Sequence, residues 1–506
     1  MLALVSPAGQ AQGVLTWHND NSRTGQNLNE SILTLTNVNS TQFGKKFTRS
    51  VDGRIYAQPL YVPNVSIPSK GTHNVVYVAT ENDSVYAFDA NGTPTAPLWH
   101  RGFTNPTQGI TSVPCADTPA CSVSPVVGIT GTPVIDSTSK TLYVVAFTKE
   151  NGSYFQRLHA LDITTGAEKF GGPVVIQASV PGTGAGSVGG TIMFDPLIQN
   201  QRPALLLLNG VVYISWASFG DLDNYHGWVL GYGAQTLAQV AVFNDTPNGS
   251  QGGIWQSGGG LSAAPGSSTI LLQTGNGTFD ANQTGGVDYG DSFLKLNTTG
   301  GLSVADYFTP DNESTLQSMD LDLGSGAGLI PPTQSGPFPH EIISAGKQGI
   351  IYVVNRNNMG KFHSTRNNVI QTVTGSINGY YGSPAYFNNA VYYSGAGDFL
   401  DRYSLTSGLL STMPVSESPT KFNTGSTPSI SANGSTNGIV WAVEHVSTTS
   451  SVLHAYDASD VSKELYNSKQ IATRDSLGGS KFSVPTIANG KVYVGTFSGL
   501  AVYGIL

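Results

Sequence analysis

The sequence is poor in charge. Asp, Glu, Lys and Arg together make up 11% of its 506 residues, against roughly a quarter in ordinary soluble domains. The 24 Lys and Arg are outnumbered by 32 Asp and Glu, giving a net charge of −8. A chain so short of cations has no footprint for nucleic acid or for an anionic membrane surface. Long apolar runs are missing too: none approaches the ~18 residues that a bilayer-spanning helix needs, so no membrane span is expected. Helical periodicity is nearly absent. There are two cysteines and no C-x-x-C-H, which excludes covalently attached haem, so any redox chemistry here needs an external electron acceptor. The nine histidines scatter without metal-ligand spacing. No G-x-S-x-G elbow and no phosphate loop is found. The glycine-rich "GTGAGSVGG" (182–190) has no strand–helix context and reads as a flexible loop.

What the chain does have is glycine, 61 residues of it, and polarity supplied by Ser, Thr and Asn. "MLALVSPAGQAQG" reads as the remnant of a secretion signal, residues 1–11, with Gly9 and Ala11 placed for cleavage; the alternative is a frayed terminus. About a dozen Asn-x-Ser/Thr sequons, among them Asn29, Asn64, Asn91, Asn151 and Asn433, suit a secreted or periplasmic glycoprotein. Cys115 and Cys121 in "CADTPAC" suit a small disulfide loop in an oxidising compartment, since two thiols alone make a poor metal site.

Self-similarity organises the rest. "AQPLYVP…HNVVYVATENDSVYAFDANG" (57–92) and "GTPVIDSTSKTLYVVAFTKE…LHALDITTG" (131–166) share one plan: a proline, an apolar strand, a turn, a Val/Tyr-rich strand, then a strand ending in Ala, an apolar residue and Asp. The plan returns at 202–232, 258–300, 340–360, 381–408, 425–459 and 482–506, making eight units with turn residues between short strands. Radially repeated four-stranded antiparallel sheets make a β-propeller. The expected fold is therefore all-β, an eight-bladed propeller in one domain over 12–506, with long insertions at 100–127 and 309–339. The last unit has only three strands, so the segment around "KKFTRSV" is free to supply the fourth and close the ring.

With the repeat and the lead-in "LTWHNDNSRTGQNLNESILTLTNVNSTQFGK" in view, the chain resembles the quinoprotein alcohol dehydrogenase-like propellers. That resemblance implies an eight-bladed ring carrying pyrroloquinoline quinone (PQQ) and Ca²⁺ or a lanthanide on its axis. It implies an activity on a small-molecule alcohol or sugar. "LLQTGNGTFD" puts Asn276 where that family has a metal-binding Asn, and "SMDLDLGSG" (318–326) puts Asp320 at its catalytic Asp. Asp322 falls where the lanthanide enzymes carry an additional metal-binding Asp, and Lys347 of "AGKQG" where a cation meets the quinone oxygens. Were "SMDLDLGSG" a strand, both carboxylates would share one face.

The sequence also departs from the family. Its stacking Trp after a triple glycine is replaced by Leu261 and Ser262, leaving Trp255 upstream as the aromatic candidate. Its lid of adjacent cysteines is not matched by Cys115 and Cys121. Its metal-binding Glu is replaced by "ASFGDLDNYHGW", where Asp221 or Asp223 must serve, with His226 as a further cofactor or metal contact; the plainer reading of "YHGW" is a satisfied strand His beside core Trp228. Two functions from different classes follow. One is a secreted PQQ-like oxidoreductase with Asp320 as general base and Lys347 holding the reduced oxygen. The other is a cofactor-free propeller that binds a protein or glycan ligand. A propeller lyase or hydrolase would need a His, Tyr or carboxylate cluster that the sequence does not display.

Overall fold

Short strands bounded by turns fold into eight sheets arranged as a ring in the computed structural model, which describes residues 12–506. The expected signal remnant, 1–11, lies outside the described residues. Each sequence unit forms one blade, numbered here 1 to 8 in chain order. Blade 1 is built on strands Leu60–Ile67, Gly71–Thr80, Ser84–Asp89 and Trp99–Gly102, paired in that order from the axis outwards. Blade 8 takes Thr486–Ala488, Lys491–Gly495 and Gly499–Ile505 from the end of the chain and Phe43–Ser50 from its beginning. Phe43 pairs with Ile505 and Ser50 with Gly499, antiparallel, so the ring closes as the sequence implied.

Two blades fall short of four full strands. In blades 4 and 5 the innermost strand shrinks to a single bridge, Ser262 to Leu271 and Leu329 to Ile343. The inner segments there are glycine-rich because they run too close for side chains: a Cβ on Gly259 would lie 2.2 Å from that of Ala327. Of the two insertions, the first adds Ile110–Pro114 to blade 2 and forms the Cys115–Cys121 disulfide loop. The second carries a one-and-a-half-turn helix, Glu313–Ser318. The "GTGAGSVGG" stretch is not a free loop. It is the tip of a hairpin (Ser179–Pro181 with Thr191–Met193), and it is fastened to blade 3 through Ala185 N–H to Gly249 O at 2.8 Å. Among the described residues no helix is long and apolar enough to cross a membrane.

The core lies between blades, not within them. Alternation along each strand gives every blade two apolar faces, and each of the eight blade–blade interfaces holds its own cluster of buried side chains. The inner edges of the strands still need hydrogen-bond partners. The lead-in supplies them. It meets blade 1 at Val14 (to Tyr61, 2.8 Å) and blade 2 at Leu15 O (from Ile135, 2.8 Å). Asn21 serves blade 3 through its side chain (Leu207 O, 2.9 Å) and blade 4 through its carbonyl (Ala263 N, 2.7 Å). Ser22, Thr24 and Gly25 accept from Ile330, Tyr386 and Ile430 of blades 5, 6 and 7 at 2.9, 2.8 and 2.7 Å. Asn27 reaches Ile487 O of blade 8 at 2.9 Å.

Arg23 sits fully buried at the hub of this segment. Its guanidinium donates to Leu261 O (2.9 Å), Thr16 Oγ1 (2.8 Å) and Trp17 O (2.9 Å). Burial lowers its pKa to about 10, with Asp20 opposing, so it stays charged at neutral pH. Replacing Arg23 by Met leaves these acceptors without donors, at about 1–3 kcal/mol for each buried group. Arg23→Met is therefore expected to lose about 3 kcal/mol or more in guanidinium denaturation; an unchanged midpoint would contradict the hub role.

Candidate functional site

Residues from the connections 8→1, 2→3, 3→4, 4→5 and 7→8 and from loops within blades 3 and 5 meet only where a ring has its axis. There they enclose a cavity of about 230 Å³, lined by Tyr56, Asn200, Arg202, Asp221, Trp255, Asp322, Lys347 and Phe482 among others. On its floor and at its open edge three carboxylates converge, with Asp221 and Asp322 among the lining residues and Asp320 beside them. Asp221, Asp320 and Asp322 each offer an oxygen within 4.8 Å of the other two.

Asp320 and Asp322 do not lie on a strand. The helix Glu313–Ser318 ends at Met319, and Asp320 turns the chain in the left-handed region (φ 54°), which Asp tolerates better than most residues. Asp322 then caps the 3₁₀ turn Leu323–Ser325, whose first amide donates to the buried Asp291 carboxylate at 2.9 Å. The turn still aims both carboxylates at one cation. Lys347, in the loop between strands Glu341–Ala345 and Ile351–Asn355 of blade 5, donates to Asp320 Oδ1 at 2.6 Å and to Asp322 Oδ2 at 2.8 Å. Burial alone would depress the Lys347 ammonium; the charge of Asp322 and the hydrogen bonds to both carboxylates outweigh it and hold the pKa above its ordinary value. Burial pushes Asp322 upward, against the pull of Lys347 and of the Asn276 amide.

Asn276 completes the floor. Its backbone N–H donates to Asp322 Oδ1 (2.7 Å) and its side-chain NH₂ to Asp320 Oδ1 (3.3 Å), while its Oδ1 is buried with no partner among the described residues. Asp221, at the end of blade 3 strand Val211–Ser218, is oriented by Ser218 (2.7 Å) and Tyr225 (2.9 Å). Trp255 faces the cavity with Lys347 Nζ 5.9 Å from its ring centre and Tyr381 beyond it at 6.2 Å.

His226 is elsewhere. Both ring nitrogens are engaged, Nδ1 with Thr246 Oγ1 and Nε2 with Ala185 O, each at 2.9 Å, and burial lowers its pKa. It pins the glycine-rich hairpin to blade 3 and is not among the residues that line the cavity. Trp228 is fully buried between blades 2 and 3. Leu261, at the family's stacking position, is also fully buried, and its carbonyl serves Arg23.

The disulfide loop stands at the rim. Cys115 and Cys121 are bonded, and Ser122 and Val123 just beyond line the cavity. Ala120 leans on Gly220, which has φ 67° and where an added Cβ would lie 2.6 Å from that of Ala120.

Sequence reasoning missed Arg202, Phe482 and Tyr56. Arg202 is buried, its guanidinium 4.8 Å from the Phe482 ring centre and 5.8 Å from that of Tyr56. A signal existed. The residue before the blade proline is Gln58, Thr132, Ser383, Thr427 or Val484 in other units, all at the inner rim, and in blade 3 it is Arg202.

Among solved structures, the quinohemoprotein alcohol dehydrogenase of Comamonas testosteroni is similar with a TM-score of 0.61 at 14% identity, over 97% of this chain and 80% of that one. A europium-containing methanol dehydrogenase gives 0.63 at 14% identity, over 97% and 98%. The fold is that of the quinoprotein alcohol dehydrogenases. A quinohemoprotein alcohol dehydrogenase of Pseudomonas putida HK5 agrees, with a TM-score of 0.60 at 13% identity over 97% and 80%. No family profile and no curated protein sequence matches the chain. Within this eight-bladed ring, the cavity and the carboxylates beside it lie at the axis.

Glu81 lies behind the cavity wall, its Oε2 accepting from Gly128 N (2.9 Å) and Thr130 Oγ1 (3.0 Å) and its Oε1 buried without a partner. Burial raises its pKa from 4.5 to about 7, against the hydrogen bonds and the charges of Arg202 and Arg54. The folded state therefore holds a proton that the unfolded chain releases near pH 4.5. Stability from this group is full below that pH and falls as pH rises through about 7, by on the order of 3 kcal/mol. Comparing unfolding free energies at pH 5 and pH 8, Glu81→Gln is expected to flatten the decline; an identical slope would show that Glu81 does not titrate this way.

Proposed function

We propose that this protein is an exported oxidoreductase that oxidises a hydroxyl group of a small alcohol or sugar, with a PQQ-like quinone and a hard cation held in the axial cavity. One observation carries the reading: three carboxylates converge, and two of them line a cavity walled by aromatic rings together with a lysine that joins the pair Asp320 and Asp322. The donor set is all oxygen, as Ca²⁺ and lanthanide ions prefer, and Asn276 Oδ1, Asp221, Asp320 and Asp322 would hold the ion. Trp255 offers a ring face to a flat cofactor, and Arg202, Lys347 and Lys481 offer positive charge to its acidic groups. When bound, such a cofactor accepts a hydride while the cation polarises its carbonyl as a Lewis acid.

The chain's own residues would then do the following. Asp320 is the most exposed carboxylate of the floor, its side chain 71% accessible, so a substrate hydroxyl can reach it and lose its proton to an Asp320 oxygen. Lys347, 12% accessible and held in its charged form, orients Asp320 through their hydrogen bond and stabilises negative charge developing on an adjacent oxygen. The disulfide loop narrows the mouth. The five sequons named above are all exposed, as export and glycosylation require, and electrons leave to an external acceptor. A second reading, a cofactor-free binding propeller, rests on the burial of Leu261 where the family has its stacking Trp.

Thermal unfolding and absorption spectra with PQQ, Ca²⁺ and La³⁺ separate the two. A rise in melting temperature with an ion is expected, since ligands of the native state stabilise it by mass action. Asn276→Ala and Asp322→Ala should each remove that rise, and Trp255→Ala should weaken quenching of the protein's fluorescence by PQQ. No rise with either ion and no PQQ spectrum would return the molecule to the binding class.

A further inference from the structure

Blades 2 and 7 carry the same histidine. His159 and His454 lie in the third strand, opposite Val144 and Ala442 of the second, and each faces the preceding blade. A phenylalanine of that blade meets each ring, Phe103 at 3.8 Å and Phe422 at 5.5 Å between centroids. A glutamate holds each Nδ1 at 2.7 Å, Glu168 for His159 and Glu464 for His454. The difference lies at Nε2. In blade 7, Glu444, two residues beyond Ala442, accepts from His454 Nε2 at 3.3 Å. The corresponding residue of blade 2, two beyond Val144, is Ala146.

That one truncation opens a cavity of about 390 Å³ between blades 1 and 2, lined by Ala146, His159, Phe103, Arg101, Arg157 and Glu168 among others. The His159 side chain is 6% accessible, and its Nε2 carries no hydrogen bond among the described residues. Arg157 is engaged by Glu150 (Nη2 to Oε2, 3.0 Å), but Arg101 is exposed and forms no ion pair among the described residues. The pocket thus has a built imidazole, an uncommitted guanidinium and an aromatic face, and lacks the carboxylate that its sister blade provides.

We infer that this cavity is a second ligand site, which takes the carboxylate of a small organic acid into the place of the Glu444 side chain, between His159 Nε2 and Arg101. The charges facing His159 are Arg101 from blade 1 and Glu150, Arg157 and Glu168 from blade 2. They sum to zero, so a bound carboxylate is balanced by protonation of His159, as Glu444 and Glu464 together raise the pKa of His454. Burial and the two arginines lower that of His159, with Glu168 opposing. Binding therefore takes up a proton and tightens as pH falls.

The test is a histidine-resolved NMR titration of the intact protein with acetate, D-glucuronate and D-glucose. Both acids are expected to move the His159 ring signals and raise its pKa by about one unit, equivalent to about tenfold tighter binding in all once His159 is protonated; glucose is expected to do neither. A stronger response to glucuronate than to acetate adds sugar contacts to the carboxylate site. Ala146→Glu should restore the blade 7 arrangement and remove the response. The surface change Arg101→Gln should weaken binding about tenfold through loss of a charged hydrogen bond and carries the test if Ala146→Glu fails to fold. No movement of His159 with either acid, an equal movement with glucose, or an undiminished response in Arg101→Gln would overturn the proposal.

Discussion

A ring of β-sheets has an inner edge, and unpaired amides along that edge must be satisfied if the centre is to stay dry. Here the requirement is met by one short stretch of chain, residues 14–27, which gives a hydrogen bond to each of the eight blades in sequence order. Its hub is a buried guanidinium that draws in carbonyls of the lead-in itself and of blade 4. The blade–blade clusters supply apolar burial, but such faces could slide. The lead-in fixes them against one origin, and the axial site inherits that precision because its residues come from connections that begin or end at the same inner rim.

Scarcity of charge gives the site its character. Most of the fold buys polarity from Ser, Thr and Asn, so the convergence of Asp221, Asp320, Asp322 and Lys347 is a local concentration in an otherwise weakly charged ring. Low solvation around Asp322 and Lys347 strengthens the interaction between them. Asp322 is buried and braced, whereas Asp320 reaches solvent on a left-handed turn. The two carboxylates, two residues apart, thus have different environments, one suited to staying fixed and the other to meeting a ligand.

The repeat made the blades legible because every unit writes the same strand–turn–strand pattern, and the short last unit exposed the closure by Phe43–Ser50. What the pattern could not show is conformation between units. "SMDLDLGSG" has the alternation of a strand, but Gly324 and Gly326 and the preceding helix make it a turn. It delivers the carboxylates to one lysine by a different route. "GTGAGSVGG" looked free because sequence does not reveal the loop of blade 3 that holds it. His226 resembled a ligand because its two partners, Thr246 and the carbonyl of Ala185, are 20 and 41 residues away. Arg202 was overlooked although the aligned units mark its position, since a repeat draws the eye to what recurs and function sits in what differs.

The outermost strand of the last blade precedes blade 1 in the sequence and its partners follow blade 7, with Phe43 opposite Ile505. During translation that strand has no sheet to join, and a chain halted before residue 499 never provides one. Such a product would present both an open blade and an exposed face of blade 1. Closure is therefore all-or-none at this seam, because Phe43–Ser50 and Gly499–Ile505 each lack a partner on that side without the other.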